Sequence, residues 1–340
     1  MNKKNIYGNL NPERKELKEI SDNLIKKFKK HFLSQGYIEH SPLLISSGID
    51  KSVRLIGSHT SVLKPYFIEG RIPEQGIFMS QNCIRTRNLK QVYDDTPLKW
   101  GSYFTSLGAL SNPKKLDSLC YDTFNFLSNK LEINKNLIKI RVNSQDKDLI
   151  KICSDYFEEN NLELSTQPLQ YYQHKYGLEN VSGRNFNIAL KNSEGEEFTD
   201  VGNIIVIESK NDTLGIELGF GNSTILKQLY GLTHVLDIYN IKGIKTKNDL
   251  IRRKFEDAIV VSIALYGEGL KPAGYNRGHL LKKYLNAIDY FYKQEGMSLE
   301  SLEKILSDFE NHEFVNVHTT AYKKVIEFLK NKNSSTTMLL

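Results

Sequence analysis

The stretch LGIELGFGNSTILKQLYG, residues 214–231, decides how the rest of the chain is read. Its apolar residues alternate into the pair Gly219 and Gly221, the two-residue period of a half-buried strand. Asn222, Ser223 and Thr224 then open a helical pattern. A strand that passes through glycines into a helix is a place where proteins hold phosphates, and many nucleotide sites add a cation there. Here no Arg or Lys occurs before Lys227. The stretch reads either as a phosphate-handling site without its charge or as a tight turn.

Two strands lead into it. NFNIALK (185–191) and GNIIVIES (202–209) precede TLGIELGFG (213–221), and further back LIKIRVN (137–143) reads as a strand and residues 146–161 as a helix. Strands in succession followed by a helix predict an antiparallel α+β sheet, not a doubly wound parallel one. Short β-type runs lie at 37–45, 76–87 and 100–110. Residues 12–36 place Leu17, Ile20, Leu24, Phe28 and Phe32 at helical spacing, closed by Gly36. Its lysines read as a solvated face, or as a basic face for nucleic acid. Residues 113–131 read as a second amphipathic helix with Leu116, Leu119, Cys120, Phe124 and Leu127 on one side. From 252 to 331 nearly everything is helical by period. This predicts two domains, residues 1–245 and 246–340, with the tail 331–340 frayed.

The composition fits that picture. The 340 residues are 39% hydrophobic and 25% charged, an ordinary globular balance. A net charge of +6, from 46 basic and 40 acidic side chains, is compatible with a polyanionic partner but does not demand one. Cys83, Cys120 and Cys153 are far apart and lack metal spacing, so reduced thiols are expected and no metal site. The N-terminal lysines have no apolar run after them, and no membrane-length apolar run occurs. A cytoplasmic protein is expected, with no membrane partner.

Several segments, in order, resemble the N-terminal catalytic and tRNA-recognition half of alanyl-tRNA synthetase, a class II aminoacyl-tRNA synthetase. FLSQGYIEHSPLLI (32–45) looks like its opening helix and strand, and LKPYFIEG (63–70) is similar to its FKPIFLG. SQNCIRTRN (80–88), Asp94-Asp95 and YFTSLGALS (103–111) look like motif 2. VGNIIVIE (201–208) is similar to IWNLVFMQ, and the opening stretch stands where motif 3, DTGMGLER, belongs. Residues 257–283 resemble the start of the helical tRNA-recognition region. The resemblance spans roughly residues 18 to 330.

It implies a six-stranded antiparallel sheet flanked by helices, binding ATP with Mg²⁺ and a small amino acid to form an aminoacyl adenylate. Attack of a carboxylate on the α-phosphate concentrates negative charge, which a guanidinium held on a strand stabilises. Arg85 matches that position; its plain alternative is a surface ion pair. Phe104 matches the aromatic that packs on adenine, or is a core residue, and Gly219 and Gly221 complete the ATP site. Asn203, His174 and Glu217 match amino-acid-binding positions, with Glu217 standing where the family holds the substrate's α-ammonium by an aspartate. His174 replaces a family tryptophan, and the plain alternative is a polar pocket or surface histidine. Asn276, Arg277 and Lys282 fall in the region the family sets against the tRNA acceptor stem. Asn276 equally reads as a helix cap.

The departures are as telling. Thr224 falls on the motif 3 arginine, a loss worth about 3–4 kcal/mol by analogy with removing one preorganised donor. Asn187 and Thr105 each replace a family glutamate, and Lys175 or Arg184 is a candidate to restore the missing positive charge. The chain ends before the family's editing and C-terminal domains, so a compact paralogue is expected. Three functions follow. The first is an adenylate-forming ligase that delivers to tRNA, a carrier protein or a small molecule. The others are a non-catalytic paralogue that binds amino acid or tRNA for regulation, and an ATP-independent transferase using aminoacyl-tRNA.

Overall fold

The computed structural model describes residues 12–192, 197–210, 212–246, 248–314 and 320–337. The N-terminal residues 1–11, on which the lack of a leader was read, and residues 338–340 of the tail lie outside them. The strands are β1 (Ile38–Glu39), β2 (Ile77–Ile84), β3 (Tyr103–Ser111), β4 (Ile138–Asn143), β5 (Leu162–Ser165), β6 (Gln173–Lys175), β7 (Ser182–Lys191), β8 (Phe198–Glu208) and β9 (Thr213–Gly221). They form one sheet in the order β1-β2-β3-β9-β8-β7-β4-β5, with β6 added on β7.

The middle of that order, from β2 to β4, is six strands that each run antiparallel to the next. The antiparallel sheet expected from the sequence is therefore present, with one correction. Both ends are extended by parallel strands, β1 on β2 and β5 on β4. A parallel neighbour needs a long crossover, and the chain supplies one each time through a helix: α2 (Thr60–Ile68) between β1 and β2, and α4 (Lys147–Tyr156) between β4 and β5.

The sheet has one deeply buried face and one partly open face. Alternate residues of β9, Ile216, Leu218 and Phe220, enter the large core with Phe28 and Phe32 of α1 (Arg14–Ser34) and Phe124 of α3 (Leu116–Asn125). The helical spacing read for α1 matches what is buried: Leu17, Leu24, Phe28 and Phe32 are inside, and Ile20 packs against them. On the other face α2 lays Val62, Leu63 and Phe67 over Met79, Leu110, Ile205 and Ile207, a smaller separate cluster. That packing fixes where the N-terminus of α2 sits, above the centre of β3 and β9.

After β9 come α5 (Asn222–Leu229) and then α6 (Asp249–Gly267), α7 (Asn276–Gln294), α8 (Leu299–Glu313) and α9 (Ala321–Thr337). The expected fraying of the tail does not begin at residue 331, because α9 continues to Thr337 on the buried anchors Val325, Ile326 and Leu329. Phe255, Ile259, Leu281 and Leu329 of these helices belong to the same hydrophobic cluster as the sheet. Polar bonds bind the two parts further. Buried Asp257 of α6 accepts from Ser102 N at 2.6 Å, Ser102 Oγ at 2.6 Å and Asn88 Nδ2 at 3.0 Å. Glu268, at the end of α6, accepts from the amides of Ile45 and Ser46.

Arg253 of α6 and Asp237 close the joint ahead of the helices, with Nη1 to Oδ1 at 2.7 Å and side chains only 5% and 13% exposed. Burial would raise the Asp237 carboxyl, but the Arg253 guanidinium outweighs it and brings the group down to about 2. A carboxylate depressed on folding stabilises the fold above its unfolded value and loses that contribution as pH falls through the folded one. Stability is therefore expected to drop between about pH 4 and pH 2 by about 2–3 kcal/mol from this pair. Urea unfolding from pH 6 to pH 2 should show a shallower loss in Arg253→Met, measured from that variant's own lower starting point. Equal slopes would contradict the assignment.

Candidate functional site

The open face of the sheet is defined by register. Arg141, Asn187, Asn203, Gly219, Gly108 and Met79 are successive cross-strand partners from β4 to β2, so they share a face. Phe104, Ser106 and Glu217 lie on the same face by the two-residue period. Of the residues expected to form a site, Arg85, Phe104, His174, Asn203, Glu217, Gly219 and Gly221 are all brought to this face.

Arg85 leaves the end of β2 with its amide bonded to Ser102 O at 2.9 Å and its Nε donating to Gly57 O at 3.0 Å. Its guanidinium lies over the Phe104 ring, 4.9 Å from the centroid, a cation–π arrangement. The two terminal nitrogens have no protein partner among the described residues, and the side chain is exposed. This is a positioned donor fork, not a surface ion pair. Phe104 is half-buried and faces outward from the sheet.

Glu217 is buried, and its surroundings were only half legible in the sequence. Thr60 donates its hydroxyl to Oε1, and Tyr176 donates to Oε2 at 2.9 Å. His59 Nε2 lies 3.1 Å from Oε1, off the line of a straight hydrogen bond. Its other nitrogen, Nδ1, lies 2.9 Å from Ser106 Oγ. Burial alone would raise the Glu217 carboxyl, yet His59, Thr60 and Tyr176 together hold it below its ordinary value. The residues missed by sequence reading, His59, Thr60, Ser106 and Tyr176, are those that reach Glu217 or its imidazole partner. The available signal was the glycines inside β3 and β9, since a glycine within a strand marks a close approach. A Cβ on Gly108 would fall 2.1 Å from the His59 ring, and one on Gly219 would fall 3.2 Å from it.

His174 and Asn203 meet, Nε2 to Nδ2 at 3.4 Å. Burial pushes the His174 imidazole below its ordinary value, against the pull of the Glu217 charge. The candidate replacements for the missing cation do not reach this face. Arg184 is held by Asp146, Asp148 and Glu208 on the other side of β7, and Lys175 is exposed on the other side of β6 from His174. Asn187 donates to Asp200 and accepts from Asn185, while Thr105 donates to Asn82 off the site face.

The join from β9 to α5 is held by the Asn222 side chain. Asn222 accepts from Thr105 N at 3.0 Å and donates to Ser21 Oγ at 2.9 Å, which ties α1, β3 and α5 together. A Cβ on Gly221 would lie 3.0 Å from Thr224 Oγ1, so Thr224 covers that glycine and brings no charge to it. The basic residue of α5, Lys227, sits in its last turn.

In the helical region Asn276 is not the cap of α7. Tyr275 holds the N-cap position without a side-chain bond, and Asn276 takes a left-handed φ of 51° that asparagine tolerates. Arg277 is turned onto the loop at 48–54, with Nε donating to Arg54 O at 2.7 Å and its guanidinium against Gly48. Lys282 is exposed. Cys83, Cys120 and Cys153 are buried free thiols, as expected. Among the described residues no helix is long and apolar enough to cross a membrane.

Comparison with known proteins agrees with the resemblance read from the residues. The alanine–tRNA ligase of Clostridioides difficile is 24% identical over 345 aligned positions, covering 88% of this chain and 38% of that protein. That of Caldicellulosiruptor saccharolyticus is 21% identical and covers 78% of this chain and 34% of its own length. The chain thus spans a little over a third of the curated relatives it matches. No family model matches it. Similar solved structures include the aspartyl-tRNA synthetase of Entamoeba histolytica, at TM-score 0.38 and 9% identity over 65% of this chain and 57% of that one. Another is the asparaginyl-tRNA synthetase of Pyrococcus horikoshii, at TM-score 0.39 and 9% identity over 67% of each. The chain is similar to the N-terminal part of an alanine–tRNA ligase, built as an α+β sheet with a helical region after it.

Proposed function

We propose that the chain is a ligase that activates alanine or another small amino acid with ATP, forming an aminoacyl adenylate for transfer to tRNA or to a non-tRNA acceptor. The observation that carries this reading is the Arg85–Phe104 pair on the open face of the sheet. When an amino acid carboxylate attacks the α-phosphorus, pyrophosphate leaves and charge gathers on the phosphoryl oxygens. The terminal nitrogens of Arg85 are the donors for that charge. Phe104 offers its ring to adenine, which requires the guanidinium to swing off the ring toward the phosphate. The amino acid then lies toward Asn203, His174 and Glu217. Among the described residues no group of three or more His, Cys, Asp or Glu gathers as a metal cage. Mg²⁺ in this reading arrives on the phosphate oxygens of ATP. An RNA acceptor would meet exposed Lys282 and the turn at Asn276, with Arg277 tying that turn to Arg54 O.

A second reading, a paralogue that binds amino acid or tRNA without turnover, is favoured by Thr224 and by the protein partners already on Glu217. The transferase reading rests on the same loss of charge. Titration with ATP and Mg²⁺ separates them. The ligase reading expects saturable binding, weakened tenfold or more in Arg85→Ala and in Phe104→Ala. No binding at millimolar ATP by folded protein would overturn it, and binding of aminoacyl-tRNA under the same conditions would then support the transferase.

A further inference from the structure

The floor of the amino-acid end of the site is cleared by glycine and then filled by the chain itself. Gly108 and Gly219 are direct cross-strand partners, and the His59 imidazole lies on both, 2.1 Å and 3.2 Å from where their Cβ atoms would stand. The ring is 2% exposed and sits between Ser106 Oγ and the Glu217 carboxylate. Glu217 is the acidic group at this point, and a carboxylate has about four acceptor positions. Thr60 and Tyr176 already donate to it, and His59 Nε2 stands 3.1 Å from Oε1. A substrate ammonium placed on Glu217 needs both the position and the volume that His59 holds. Of these three groups it is His59 whose ring lies over both glycines, so His59 is the group that must yield.

We propose that His59 is an intramolecular stand-in for the substrate's ammonium group and sets which amino acid enters. The inference rests on the amino-acid pocket of the proposed function but not on turnover. Entry requires the imidazole to leave the two glycines, and the room it vacates is a flat slot of about one ring. Small amino acids fit it best. His59 therefore limits affinity as well as size, because every ligand competes with a group that is covalently present.

The test is calorimetric titration of L-alanine, without ATP, into wild type, His59→Gly and His59→Phe. Removing the ring is expected to tighten alanine binding tenfold or more. Keeping its bulk as Phe should give no gain, and ATP affinity should change less than twofold in either variant. A purely structural histidine would produce no gain in binding. Should His59→Gly fail to fold, as judged by its near-ultraviolet circular dichroism, the His59 ring resonances of the wild type serve instead. Alanine should shift them in a saturable way. Alanine binding equal in folded wild type and His59→Gly, absent in both, or leaving the His59 resonances unmoved would overturn the proposal. A gain in binding without any pyrophosphate exchange would uphold it while sinking the ligase reading.

Discussion

Arg85→Ala is expected to lower amino-acid-dependent pyrophosphate exchange by about a hundred- to a thousandfold while leaving the fold intact, in line with removing one donor from a site of developing charge. The structural reason for the small effect on stability is that Arg85 contributes one bond to Gly57 O and a stacking contact with Phe104, both at an exposed position. The reason for the large effect on turnover is that the motif 3 position and the arginines of β4 and β7 offer no free donor. Thr224 carries no charge, and Arg184 and Arg141 are committed to carboxylates. Arg85→Lys should recover only a small part, because a point charge cannot replace a planar fork. Unchanged exchange in Arg85→Ala would remove Arg85 from the chemistry.

The second large effect is expected at Asp257, far from the reacting atoms. Its carboxylate is the common acceptor for the Ser102 amide, the Ser102 hydroxyl and the Asn88 amide, and Tyr284 adds its hydroxyl to Ser102 at 3.1 Å. Lys254, one turn earlier, donates to Gln91 O at 2.5 Å and also to the Asp94 carbonyl. The loop between β2 and β3, which begins directly after Arg85, is thereby fastened to α6. Asp257→Ala leaves the Ser102 amide and hydroxyl without an acceptor and leaves the Asn88 amide only Trp100 O, for a cost of about 3 kcal/mol or more. Urea unfolding should show that loss. In whatever folded fraction remains, the affinity for ATP should weaken because Arg85 loses its support from Ser102. A midpoint within experimental error of wild type would contradict the account of this joint.

Much of the scaffold was legible because it repeats. The period of α1 and the alternation of β7, β8 and β9 run long enough to be read, and the order of strands before α5 pointed to an antiparallel sheet. The elements that escaped are short or lack polar contrast. β5 and β6 are four and three residues long. α2 buries Ser61, Val62, Leu63, Lys64 and Phe67 and contains Pro65, so it has no polar face to reveal a helical period. The run 37–45 was read as a strand, yet only Ile38 and Glu39 pair, because beyond them the chain leaves the sheet edge.

The site divides in the same way. Arg85, Phe104, Asn203 and Glu217 were placed through the resemblance, and the sheet register brings them to one face. What could not be read is tertiary. His59 is 158 residues from Glu217 in sequence (217 − 59) and reaches it only because α2 packs across the sheet. Tyr176 directly follows β6, a strand too short to recognise. One of the two readings of Asn276 was a helix cap, but the backbone puts Tyr275 at that position and sets Arg277 on Arg54 O.

The central claim is that this face activates a small amino acid, and exchange of labelled pyrophosphate into ATP across all twenty amino acids tests it most directly. The account predicts exchange with alanine or another small amino acid and with no large one, lost in Arg85→Ala. Folded protein that supports no exchange with any amino acid would contradict it.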